Sequence, residues 1–98
     1  MPVTEDRTIR LDRDALAEAL ARDGATDAEV ALDVERQVLR TPWSAGEVRE
    51  FAGAGLAVLV MRHLARLKVP LARDAAKRVV VAEDGVSLVL RRVHPAPR

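Results

Sequence analysis

TDAEVALDVERQVLRTPWSAGEVREFAGAGLAVLVM, residues 26–61, is the stretch on which the fold turns. Thr26 and Glu29 have the spacing of a capping box, in which each side chain satisfies a backbone N–H that the first helical turn leaves unpaired. Val30, Val34 and Val38 then share one helical face with Ala31 beside them, and Glu29, Arg36 and Arg40 take the wet face. Thr41-Pro42 ends this helix, because the residue before a proline is pushed out of the helical region. Ser44 and Glu47 repeat the capping box, and Trp43 and Val48 are placed for a hydrophobic staple across it. Val48, Phe51 and Ala52 face the core of the helix that follows. Nothing polar interrupts residues 51–61, so that helix has no wet side and is either buried all round or meets a partner. Gly53 and Gly55 each cost about 1 kcal/mol in a helix interior. They mark a break between two helices or a close helix–helix approach. Polarity returns at Arg62, His63, Arg66 and Lys68.

Upstream, residues 7–11 alternate, with Ile9 and Leu11 on one side and Thr8 and Arg10 on the other, as a short strand does. Asp12 is a good N-cap for a helix over residues 13–22, whose buried stripe is Leu16, Ala19 and Leu20 and whose stop is Gly24. Downstream, Pro70 suits the first turn of a short helix over residues 71–77, with Asp74 and Arg78 as a surface pair. Residues 79–83 and 86–90 are apolar runs around Asp84-Gly85, which reads as a two-residue hairpin turn requiring positive φ. That register sets Val81 opposite Leu88 and Val79 opposite Leu90, with Val80 and Val89 on the other face. The fold class expected is α+β: mainly a helical bundle of about four helices with a short N-terminal strand and a C-terminal β-hairpin. It forms a single domain over residues 1–98, with 1–6 and 94–98 as loose tails.

Composition narrows the function classes. Hydrophobic residues make up 49% and charged residues 32%, which suits a globular chain, and with one Trp, one Phe and no Tyr the core must be aliphatic. The net charge of +1 argues against a polycation made for nucleic acid or anionic lipid. Without cysteine there is no disulfide, thiolate nucleophile or Cys-type zinc site. The first ten residues are charged and lack the apolar run of a signal peptide, and the apolar stretch at residues 51–61 is too short to span a bilayer. The expectation is a cytoplasmic protein.

No catalytic constellation stands out. His63 and His94 are far apart, His63 reads as a surface or capping residue, and the carboxylates are spread singly over helical faces. Ser44 and Ser87 have structural readings as a cap and a strand residue, so no catalytic and no metal-ligating residue is expected. The leading reading is a small non-enzymatic regulatory or protein-interaction domain that forms a homodimer or binds a protein partner. Its interface would lie along Leu56, Leu59 and Val60, where the apolar helix exceeds what the other elements can cover. The alternative is a winged helix-turn-helix DNA-binding regulator with its wing at Asp84-Gly85. Its recognition helix, residues 56–61, offers no donors to bases or phosphates before Arg62, so specific DNA binding is disfavoured. A ribbon-helix-helix opening at Thr8-Ile9-Arg10-Leu11-Asp12 leaves the C-terminal hairpin unexplained.

With helices so placed, the order Leu11-Asp12, Leu16, Ala19, Leu20, then residues 34–39, then residues 44–48 with Phe51 and Leu56, resembles the ATP-cone, a small helical nucleotide-sensing module of ribonucleotide reductases. The resemblance covers residues 8–60. It implies a non-enzymatic module and an adenine nucleotide as ligand, with no other cofactor; the basic groups near the implied site are Arg7, Arg10 and Arg13. The chain departs from that family at Glu5-Asp6-Arg7-Thr8, where the family has a basic-basic-Asp-Gly turn, and at Ala15, where it usually has lysine.

Overall fold

A computed structural model describes residues 3–25 and 29–95. In chain order the elements are β1 (Val3–Asp12), α1 (Arg13–Arg22), β2 (Ala31–Asp33), β3 (Val38–Pro42), a 3-10 turn (Ser44–Gly46), β4 (Val48–Ala52), α2 (Gly53–Arg66), β5 (Ala76–Ala82) and β6 (Gly85–His94). The strands form two three-stranded antiparallel sheets, ordered β1-β6-β5 and β2-β3-β4. The four-helix bundle is therefore corrected: the described residues hold two α-helices, and most of the regular structure is strand.

The segment that misleads is residues 29–52. Positions four apart share a face both in a helix of period 3.6 and in a strand of period 2, so Val30, Val34 and Val38 do not discriminate between them. The deciding features are branching and proline: valine and threonine lose rotamer freedom in a helix and fit a pleated surface. The chain forms a hairpin in which Asp33 pairs with Val38 across residues 34–37. The Asp33 carboxylate accepts from the Arg36 N–H at 3.0 Å, and Gln37 takes a φ of 56° to close the turn. Thr26 lies outside the described residues. The second capping box marks a real turn, since Glu47 N–H donates to the Ser44 carbonyl, but β4 follows it and pairs with β3 from Pro42–Val48 to Val38–Ala52. Gly53 does mark a break, between strand and helix, and takes a φ of 53°.

The short helix expected at residues 71–77 is absent; β5 begins at Ala76, and Asp74 pairs with Arg92 rather than Arg78. β1 begins at Val3, inside the stretch expected to be a lead-in, and His94 lies in β6.

α1 forms where the sequence places it. Asp12 Oδ1 accepts from Ala15 N–H at 2.8 Å, and Leu16, Ala19 and Leu20 are buried. Both helices end alike: Gly24 and Lys68 turn left-handed, and the N–H groups of Ala25 and Val69 return to the carbonyls of Leu20 and Leu64. The core lies between the inner face of β1-β6-β5, the two helices and β3. It is built from Leu11, Leu16, Leu20, Leu39, Leu56, Val60, Val81, Val86 and Leu88 among others.

Candidate functional site

The C-terminal hairpin turns at Glu83-Asp84, one residue earlier than expected, and Ala82 pairs with Gly85. Val81 faces Val86 and Val79 faces Leu88, two residues from the expected register. A slip of two preserves the faces, so Val81, Leu88 and Leu90 still point inward. Gly85 is needed for space rather than for positive φ. A Cβ there would lie 2.3 Å from the Leu11 carbonyl oxygen, where the end of β1 crosses close by.

Gln37 bonds the outer edge of this sheet at Val81. Its Nε2 donates to the Val81 carbonyl at 2.9 Å, and its Oε1 accepts the Val81 N–H at 2.7 Å. The side chain thus acts as a one-residue strand on β5 and links the two sheets. Its contact also sets the phase of the ladder. The backbone groups of Val81 point away from β6, so by alternation through the two registers those of Thr4, Asp6, Thr8 and Arg10 point away from β6 on the far side. These four residues line the outer edge of β1 and are exposed. Among the described residues, β1 pairs only with β6 and no hydrogen bond reaches those groups. A ten-residue edge strand left open is the most distinctive surface of the molecule.

The outer face carries ordered charge. Asp6 accepts two hydrogen bonds from Arg91, its cross-strand neighbour, at 2.9 and 3.1 Å. That hydrogen bond holds the Asp6 carboxyl below its usual value and raises Arg91. Arg10 pairs with Asp84 at the hairpin turn and lowers its carboxyl in the same way.

Arg7, Arg10 and Arg13 do not converge on one site. Arg7 donates to the Pro70 carbonyl at 2.8 Å, on the inner side of β1. Arg13 donates to the carbonyls of Val30 (2.7 Å) and Glu83 (2.6 Å), fastening the start of α1 to the approach to β2 and to the hairpin turn. Only Arg10 and Arg13 meet, at that turn, and each has a protein partner there. Leu56, Leu59 and Val60 are at most 2% exposed. The helix expected to need a partner is covered by its own chain, and the interface placed there is corrected to core. Residues 56–61, read as a recognition helix, turn Leu56, Leu59 and Val60 into the core and leave Val58 exposed. The segments to which the resemblance assigned a second and third helix are the β2–β3 hairpin and β4.

His63 is likewise buried, at 1% exposed, with no partner for Nδ1. Beside it, Arg62 and Arg66 reach back to Asp23 at the end of α1, both at 2.9 Å. No group of three or more metal-ligating side chains comes together among the described residues. A depression of about 390 Å³ lies beneath the β1–β6 ribbon between Arg7, Ala72 and Arg92. No helix among the described residues is long and apolar enough to cross a membrane.

The open edge escaped the sequence reading because edge position is a property of topology. The alternation at residues 7–11 was the only local trace of it. No family model, curated protein or solved structure matches this chain.

Proposed function

We propose that the chain is a small non-enzymatic protein-interaction domain that receives its partner by strand addition along the outer edge of β1. The observation that carries this reading is the row of unpaired backbone groups at Thr4, Asp6, Thr8 and Arg10, in a sheet whose opposite edge strand is bonded by Gln37 at Val81. Exposed edges invite unwanted pairing, and proteins commonly blunt them by shortening, bulging or covering. Here β5 is held by Gln37 at Val81, and along the longer β1 no partner meets the outward groups among the described residues. An extended segment laid beside it gains main-chain hydrogen bonds in order, and the side chains of β1 select among candidates.

A photo-crosslinking residue in place of Thr8, expressed in the cells the protein comes from, tests the reading. The expected result is a protein adduct from position 8 and none from position 58 on the exposed side of α2. Adducts from position 58 alone, or from neither position, would overturn it.

A further inference from the structure

We infer that the strand added to β1 is the β1 strand of a second copy, giving a continuous six-stranded sheet across a two-fold axis. This rests on the edge-strand reading above and goes beyond it by naming the partner and the register.

Symmetry limits the choices. In a two-fold antiparallel pair, residue i faces residue S − i of the other copy, with S constant along the strand. The outward backbone groups belong to even-numbered residues, so hydrogen bonding requires even residues to face even residues. Registers in which the strands overlap well centre on Glu5, Asp6, Arg7, Thr8 or Ile9. Centring on Glu5, Asp6 or Arg7 sets that charge against its own copy, and centring on Ile9 sets Asp6 against Asp12. Like charges directly opposite destabilise a sheet. Centring on Thr8 alone avoids this. It places the two threonines face to face and Asp6 opposite the partner's Arg10, twice by symmetry.

The charges already present on the outer face fit that register. Arg91 flanks Asp6 on β6, and Asp84 flanks Arg10 at the hairpin turn. Across the joint, the order becomes Arg91, Asp6, the partner's Arg10 and the partner's Asp84, which alternates in sign at every step. On the inner face, Arg7 meets the partner's Ile9 and Glu5 the partner's Leu11, with no like pair. The strand is self-complementary in one register and self-repelling in the neighbouring ones, as specific pairing requires.

Sedimentation equilibrium over roughly 10–500 μM, bracketing the affinity of a small interface, tests the inference. The wild-type chain should dimerise. D6R and R10D should each weaken the dimer by about tenfold or more, since each sets two like pairs across the joint. An equimolar mixture of the two variants should recover association as a heterodimer, because the introduced arginine at position 6 then faces the introduced aspartate at position 10. T8P, which removes only an outward-facing N–H, should remain folded by circular dichroism and be monomeric. A wild-type monomer throughout this range would overturn the inference, as would a mixture that fails to recover or a T8P dimer. A crosslink from position 8 to a different protein would also overturn the second copy as partner while leaving the edge-strand reading standing.

Discussion

Gln37 and Gly85 each perform a task that their type alone does not announce. Gln37 sits at a positive φ and uses its amide to pair both backbone groups of Val81. Gln37→Ala leaves a part-buried N–H and carbonyl without partners and should cost about 1–3 kcal/mol, read as a lower urea midpoint. Gly85 lies against the Leu11 carbonyl. If positive φ were its reason, asparagine would serve nearly as well as glycine. Because space is the reason, Gly85→Ala and Gly85→Asn should both cost roughly 1–3 kcal/mol or more, and a Gly85→Asn protein of native stability would show the account to be wrong. The sequence does place a hairpin turn at this point, but Asp-Gly also suits the last two positions of a turn that begins one residue earlier. The close approach of β1 is invisible without the fold.

Among the elements, α1 is legible because its signals are local: an N-cap, a stripe at helical spacing and a glycine stop. β6 and β5 are legible to within a register shift of two for a similar reason. The second half of β1 is visible in the alternation of residues 7–11; the first half is not, because Thr4, Glu5 and Asp6 are polar on both faces and only pairing with β6 makes them strand. β2, β3 and β4 are missed because spacings of four suit both periods and caps can start a turn that never propagates. The apolar run at residues 51–61 is divided between β4 and α2, so the surplus of apolar surface that called for a partner does not exist. Leu59→Arg should therefore place an unpaired charge in the core at a cost of about 3–5 kcal/mol and yield an unfolded chain. Val58→Arg, on the exposed side of the same helix, should stay within about 0.5 kcal/mol of wild type. A folded Leu59→Arg monomer in circular dichroism would return these residues to a surface.

The whole molecule measures 59 × 30 × 18 Å, with a radius of gyration of 15.1 Å, longer than the ~13 Å of a compact chain of this size. Beyond Arg91, β1 and β6 have no third strand and run on as a ribbon ending at Val3 and His94. On the β1-β6-β5 sheet, Asp6, Arg10, Arg91 and Arg92 are each in an ion pair, so electrostatics should shape the acid limb of stability. Asp6 and Asp84 are held below 3.8 by hydrogen bonds from Arg91 and Arg10. A carboxylate lowered in the folded state stabilises the fold above its unfolded value, and that stabilisation is lost as pH falls through the folded value. The two groups should contribute nothing to the slope of melting temperature against pH above about pH 5 and should steepen it below about pH 4. Asp6→Asn should flatten that lower limb, and added salt should flatten it in wild type, because both pairs are exposed and screened.

The pairing of Val3 with His94 has a consequence in time. Helical bundles close through neighbours in sequence; this sheet closes only when its first strand meets its last. At roughly 5–20 residues per second, β1 leaves the ribosome several seconds before β6 exists to receive it. During that interval the inner row of backbone groups of residues 3–12 is as unpaired as the outer row, and the segment waits for β6 to make it a strand.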